Sequence, residues 1–366
     1  MNYMKRTFTL LMLVFSMIFC NAQNLLNNPE SIVYDAAADR YLVSNCGDGQ
    51  IVAIASDGQQ SYFNTDMTAT LGLHLVGDTL YVSSNDGPYS GIVGMLLSSG
   101  DIVFHVDIPE KELLNDIASD NAGHLYVTDS EANKIFKVNI AGMSYTTLVD
   151  AGLGYPNGIL YDETNNRLMV LNCLLASRPI LSVDLDDLTL STIVETGISA
   201  IDGFTEDNDG NYYFSSWTTD RVYRYDHLFT NPPEIIAGGY TDPADIYYNK
   251  TNDILAIPNF NADTIIFLPI SPMGVDDPKP AEEGYIRIYP NPFTEMLNIN
   301  FDLAASGFTK VSVYNAEGRL VDDLVKHYLN CGDHYINWES SNLEPGIYFL
   351  VVCGEGIYES KKLIKN

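Results

Sequence analysis

Six segments of this 366-residue chain repeat one pattern, and their spacing restricts the fold more than any other feature. The clearest copy, LNDIASDNAGHLYVTDS over 114–130, opens on Asn115-Asp116 and alternates through Ile117 and Ser119. It turns at Asn121 to Gly123 and resumes as Leu125-Tyr126-Val127, which reads as strand, turn, strand. The others are PESIVYDAAADRYLVSN (29–45), LGLHLVGDTLYVSSN (71–85), PNGILYDETNNRLMVLN (156–172), IDGFTEDNDGNYYFSS (201–216) and PADIYYNKTNDILAIPN (243–259). Taking Tyr41, Leu80, Leu125, Leu168, Tyr212 and Ile254 as equivalent, the intervals are 39, 45, 43, 44 and 42 residues. A period of about 40–45 residues is that of one four-stranded blade, so six copies predict an all-β, six-bladed β-propeller over 23–270.

The rest of the composition agrees. Twenty-four Tyr and 15 Phe, with frequent Asp, Asn and Gly, suit short strands joined by tight turns. Residues 1–22 read as a signal peptide: Lys5 and Arg6 are followed by the apolar run 7–19 and by Asn21-Ala22 before Gln23. Met17, Ile18 and Phe19 lack the small side chains that precede a lipid-modified cysteine, so Cys20 is not expected to be lipidated. The mature chain is expected to leave the cytoplasm and to hold no transmembrane span. A formal net charge of −29 repels phosphate backbones and anionic membranes, which argues against nucleic acid, and it favours divalent cations. Of the remaining cysteines, Cys331 and Cys353 share one small domain and are placed to form a disulfide, whereas Cys46 and Cys173 stand on opposite sides of the ring and are expected to be buried thiols.

The sixth repeat runs directly into Ser271-Pro272 and lacks an obvious fourth strand. Residues 23–28, with Leu25 and Leu26, are the expected donor of that strand. Residues 271–284, bearing Pro272, Pro278 and Pro280 among acids, read as an extended linker. Residues 285–366 follow as a compact Ig-like β-sandwich, with strands expected at 286–289, 296–301, 310–314, 335–338, 347–352 and 360–364. Its motifs are Tyr289-Pro290-Asn291-Pro292-Phe293, Leu297-Asn298-Ile299, Tyr314-Asn315 with Gly318, the run LEPGIYFL over 343–350, and Lys361-Lys362-Leu363-Ile364-Lys365. In that order they resemble the C-terminal sorting domain of the type IX secretion system of Bacteroidetes. The resemblance implies recognition by that machinery, passage across the outer membrane, and release or attachment at the cell surface.

In a propeller the first strand of each repeat begins near the axis, so repeat-opening residues converge although they are distant in sequence. Repeats one, three, four and five open with Glu30, Asn115, Asn157 and Asp202; repeats two and six have Leu71 and Ala244 there. Two carboxylates and two amide carbonyls form a hard-oxygen set, suited to Ca²⁺, with Mg²⁺ or Mn²⁺ as alternatives. Turn chemistry is the competing account of Asn and Asp at such places, although Glu30 is not a favoured turn residue. Zinc is disfavoured, because His74, His105 and His124 are scattered singly.

Residues 29–269 also resemble the gluconolactonase, senescence-marker protein and luciferin-regenerating enzyme family, with some likeness to NHL-repeat propellers. Pro29-Glu30 matches the first metal ligand of that family, Pro156-Asn157-Gly158 the second, and Asp202-Gly203 the third, which also serves as general base. Asn115-Asp116 matches its axial asparagine beside metal and substrate. Two departures stand out: Leu113 occupies the place of an Arg that holds acidic sugars, and Pro29 and Ser31 replace flanking glycines. The resemblance implies a metal-dependent hydrolase of lactones or esters, with Glu30, Asn157 and Asp202 on the metal and Asn115 toward substrate. The alternative class is a non-catalytic extracellular propeller that binds a small molecule or a protein. There is no phosphate-cradling loop, dinucleotide fingerprint or serine-nucleophile context in the sequence.

Overall fold

The computed structural model describes residues 24–270, 286–303, 307–315, 319–340, 343–354 and 357–366. The expected signal peptide and linker lie outside these residues. The described part is all-β save one 3₁₀ turn at Phe260–Ala262, and none of its helices is long and apolar enough to cross a membrane.

Five antiparallel four-stranded sheets and one three-stranded sheet follow in sequence, each with its strands in chain order. Their first strands are Pro29–Asp35, Thr70–Val76, Leu114–Ser119, Pro156–Asp162, Ile201–Glu206 and Tyr247–Asn249. Successive first strands are neighbours, and the sixth is beside the first, so they surround one axis. The repeats are therefore the blades. Asp and Asn shape the turn between the first two strands of a blade: Asp35 accepts the N–H groups of Ala37 and Ala38, Asp120 those of Ala122 and His124, and Asp207 those of Asp209 and Asn211. Between blades, apolar faces meet. Ile117, Leu125, Val127 and Phe136 of blade three pack on Tyr81, Ile92 and Phe104 of blade two in one buried cluster.

Blade six keeps three strands, so the fourth expected from residues 23–28 is not formed among the described residues. Residues 24–28 instead lie across the seam between the last blade and the first. Cys46 and Gly47 donate backbone N–H groups to the carbonyls of Asn28 and Asn27, while Asn28 N–H reaches Asp263 Oδ1 at 2.7 Å. Leu26 is buried with Ile32 and Val52 of blade one and Ala256 of blade six. The segment's apolar pair thus serves as a wedge. The seam is closed further by Asp245 N–H on Glu30 O, Asn249 on the Tyr41 hydroxyl, and the Tyr41 and Phe267 rings.

The C-terminal domain pairs a three-stranded sheet (Ile286–Tyr289, Met296–Leu303, Gly332–Glu339) with a four-stranded one (Leu320–Leu329, Gly307–Asn315, Gly346–Gly354, Ile357–Lys365). Strict alternation in Met296–Leu303 buries Leu297, Ile299, Phe301 and Leu303. The Pro-Asn-Pro-Phe motif grips the last strand: Phe293 N–H bonds Ile364 O, Asn366 N–H bonds Phe293 O, and Asn291 Oδ1 accepts Ile364 N–H. Strand Leu320–Leu329 was not expected. The expected disulfide is not formed: Cys331 and Cys353, both exposed, are not bridged to each other. Cys173 is buried as expected, and Cys46 is half-buried.

Candidate metal centre

Five of the six first strands depart from regular pairing near their start. In blade one Pro29 faces Asn45 and Ile32 faces Val43, so Glu30 and Ser31 together oppose Ser44 alone. The same two-against-one bulge recurs at Leu71-Gly72, Asn115-Asp116, Asn157-Gly158 and Asp202-Gly203. A bulge bends a strand and re-aims its side chains. Here it turns the second residue of each strand to the axis and the third toward the neighbouring blade. The left-handed residues Asn28, Tyr155 and Ala200 immediately precede three of these strands, with φ of 50, 52 and 49°, and Asp242, at 50°, precedes Pro243, which bridges Asn259 in blade six. For Tyr155 and Ala200 that conformation costs about 1–2 kcal/mol each.

The second residues include the four expected oxygen donors, and they share one property. Glu30 Oε2, Asn115 Oδ1, Asn157 Oδ1 and Asp202 Oδ1 are all buried without a hydrogen-bond partner. Each such orphan costs about 1–3 kcal/mol. Their remaining atoms have assigned duties. Asp202 Oδ2 accepts the indole N–H of Trp217, which leaves Oδ1 free. Ser130 Oγ donates to Pro156 O at 2.7 Å, so it accepts from Asn115 Nδ2 at 3.0 Å, and that orientation turns Asn115 Oδ1 away from Ser130.

The third residues form a second layer. Gly72, Gly158 and Gly203 allow adjacent backbones to touch: an added Cβ would lie 2.2 Å from Asn115 O, 2.5 Å from Asp202 O and 2.2 Å from Ile246 N, respectively. Where the residue is not glycine, its side chain spans the same seam. Ser31 Oγ accepts Leu73 N–H and donates to Asp245 Oδ2 at 2.5 Å, and Asp116 Oδ2 accepts Ile159 N–H at 2.8 Å. A third set of links runs through hydroxyls opposite the bulges. Ser83, Thr128 and Ser215 donate to the carbonyls of Asn115, Asn157 and Ala244 on the next blade.

Four carboxyls therefore crowd the axis. Burial pushes Glu30 well above the usual carboxylate range, and Asp202 and Asp116 raise it further. Burial raises Asp202 to about 6 despite the lowering effect of Trp217 and Asn157, and it raises Asp116 to about 7. Asp245 is raised by burial and then by Asp116 and Glu30.

The donor set fits a hard divalent cation, since every expected ligand presents an unpaired oxygen and no nitrogen or sulfur. Among the described residues there is no cluster of three or more His, Cys, Asp or Glu side chains able to hold a metal. The expected set contains only two such side chains, its other oxygens being amides. Trp217 and Asp245 were not singled out by sequence reasoning, and Ser31 only as the replacement of a glycine. Asp245 follows Ala244 in one of the two repeats whose opening residues looked inert, and nothing local marks Trp217 as a partner of Asp202. Conversely Asn45, Asn85, Asp129, Asn172 and Asn259, which close the second strands, are scaffold. Asn45, Asp129 and Asn259 accept N–H groups from Asn27, Leu113 and Thr241 in the loops that enter the first strands.

Residues 28–228 match the family described as the SMP-30/Gluconolactonase/LRE-like region, and residues 287–366 match the secretion system C-terminal sorting domain. That tail directs type IX secretion to the cell surface or extracellular space. No curated protein matches the sequence. A structure of unknown function from Bacteroides thetaiotaomicron VPI-5482 is 14% identical, with a TM-score of 0.56 over 66% of this chain and 68% of that one. An auxiliary nutrient binding protein from the same organism is 11% identical, with a TM-score of 0.53 over 66% and 68% of the two chains. At such identities these two likenesses speak for the fold alone.

Proposed function

The chain belongs to the SMP-30/gluconolactonase/LRE-like family, and from that premise we propose that its propeller is an exported, cation-dependent hydrolase of lactones or esters. The observation that carries this reading is the set of four buried, unpartnered oxygens on Glu30, Asn115, Asn157 and Asp202. Glu30, Asn157 and Asp202 would hold the cation, with Ca²⁺ favoured by the all-oxygen set and Mg²⁺ or Mn²⁺ as alternatives. When bound, the cation supplies charge stabilisation to a developing oxyanion.

The chain's own residues supply the remainder. Asp202, held by the Trp217 indole and pushed up to about 6, is the base that takes a proton from the attacking water near neutral pH. Asn115 is fixed by Ser130 with its carbonyl oxygen unpaired, so it accepts a hydrogen bond from a hydroxyl of the substrate. Leu113 stands where an Arg holds acidic sugars in the family, which favours uncharged lactones over sugar acids.

Calorimetric titration with calcium tests the reading, using the protein and its Asp202→Ala variant, followed by a panel of neutral lactones and aryl esters. Saturable binding lost in the variant, with turnover of one substrate class, is the expected result. Absence of calcium binding by the folded protein would overturn it. The second reading, a ligand-binding propeller without catalysis, is favoured by the cavity described next, which lies beyond the candidate centre rather than over its axial residues. Calcium binding with no turnover across the panel would select it.

A further inference from the structure

A cavity of about 310 Å³ occupies the axis below the candidate centre, and all six first strands line it, from their middles to the ends away from Glu30. None of the four axial donors borders it. Its walls mix hydrocarbon, including Leu75, Leu160 and Phe204, with polar side chains, and its volume is at the low end of the range for small-ligand sites, about 300–1,000 Å³.

The charged lining is unbalanced. Near the rim, Lys250 is paired with Glu206 at 3.4 Å. His74 binds Ser119 Oγ at 2.8 Å, and burial lowers its pKa to about 4, so it is neutral. Toward the centre stand Asp116 and Asp245. Asp116 spends both oxygens on the N–H groups of Ile117 and Ile159. Asp245, only 7% exposed, gives Oδ2 to Ser31 and has no partner for Oδ1 among the described residues. A carboxyl oxygen with no protein donor among the described residues thus borders a chamber whose one ammonium is already paired.

A hard divalent cation needs six or more converging oxygens, whereas among the described residues no three acidic side chains are grouped to hold one and both oxygens of Asp116 are already engaged. An alkylammonium head supplies N–H donors to Asp245 and brings hydrocarbon for the walls. We propose that the chamber is a second ligand site, which takes a small primary amine with an apolar body, its ammonium against Asp245 and Asp116. This site is independent of the hydrolase reading, because it uses none of Glu30, Asn115, Asn157 or Asp202.

The test is calorimetry on the whole protein with n-butylammonium, n-hexylammonium and the neutral control 1-hexanol, with and without saturating calcium. Binding of one amine per chain is expected, about fourfold tighter per added methylene. Hexanol is expected to bind at least tenfold more weakly. Asp245→Asn should lose amine binding, whereas Asp202→Asn should keep it. Leu75→Trp, at a half-buried place on the cavity lining, should also lose it and serves if Asp245→Asn does not fold. Equal binding of hexanol, no amine binding by the wild type, or amine binding retained in both chamber variants overturns the proposal. So does displacement by calcium together with loss in Asp202→Asn, which would assign the amine to the axial oxygens.

Discussion

Stripping cations from the propeller should make its stability fall as pH rises, contrary to the usual behaviour of paired carboxylates. The perturbation is EDTA across pH 5 to 8. Asp202 moves from an ordinary 3.8 to about 6 because burial disfavours its charge. Between those values the folded chain keeps a proton that the unfolded chain has released, so folding weakens through that window and levels above it. The displacement corresponds to about 3 kcal/mol at neutral pH. For a propeller of this size that is about 6–12 °C in melting temperature. Glu30 shifts in the same direction, so the total decline should be no smaller. General repulsion in a chain of net charge −29 acts in the same sense, and Asp202→Asn separates the two. The amide keeps the shape and can still accept the Trp217 N–H, yet it cannot ionise. In EDTA at pH 8 this variant should melt above the wild type, and at pH 5 by about half as much, because about half of the ~3 kcal/mol is already lost between 3.8 and 5. Calcium at a hundred times its dissociation constant should restore about 2.7 kcal/mol to the wild type at pH 8 and nothing to the variant. A cation-free wild type that melts higher at pH 8 than at pH 5, or a variant that melts below it at pH 8, would refute the reasoning.

Four further outcomes are expected. Trp217→Phe removes the donor to Asp202 Oδ2, a charge-assisted bond worth about 1.5–3 kcal/mol; calorimetry should show calcium affinity changed at least threefold, with far-ultraviolet circular dichroism unchanged. Gly203→Ala places a methyl 2.2 Å from Ile246 N and 2.5 Å from Asp245 Cα, so urea unfolding should lose about 3 kcal/mol or more. Gly197→Ala, whose added Cβ meets nothing within 4 Å, should lose only the φ penalty of about 1–2 kcal/mol. Removing residues 24–28 exposes the core face that Leu26 covers and cuts the bonds to Asn45, Gly47 and Asp263, so the melting temperature should drop by several degrees.

The blade count and the equivalent placing of Glu30, Asn115, Asn157 and Asp202 were legible because a propeller converts sequence period into angular position, and the second residue of each first strand was read in register from 30 to 202. Reading one residue further in the same register would have revealed the second layer: Ser31, Gly72, Asp116, Gly158, Gly203 and Asp245. The three glycines and three polar side chains are alternative solutions to one close approach between strands. Other features left no local trace. Leu25 and Leu26 have the hydropathy of a strand, but Asn28 adopts φ of 50° and its carbonyl bonds Cys46, so those residues become a wedge across the seam. The strand Leu320–Leu329, reading LVDDLVKHYL, hid its alternation behind two bulges against Gly307–Asn315. Trp217 lies 15 residues from Asp202, and only the closing of blade five brings them together.

The axis carries two levels with different obligations, and the division explains how such a fold holds a strained site. At the third residues Ser31, Asp116 and Asp245 each take part in a bond across a seam, so a change there removes a bond between blades. At the second residues the oxygens are unmatched, so a change there removes a penalty: Glu30→Gln or Asp202→Asn relieves buried charge without severing any ladder bond. Residues whose loss stabilises the cation-free fold are retained for something other than folding. The bulge makes this separation possible, because two residues face one partner and only one of them must serve the ring. Blades two and six, with Leu71 and Ala244 at the axial position, keep the bonding of their third residues or its steric equivalent and omit the oxygens. The ring closes with Leu71 and Ala244 at two axial places, and the unpaired oxygens at the other four are what the proposed cation would address.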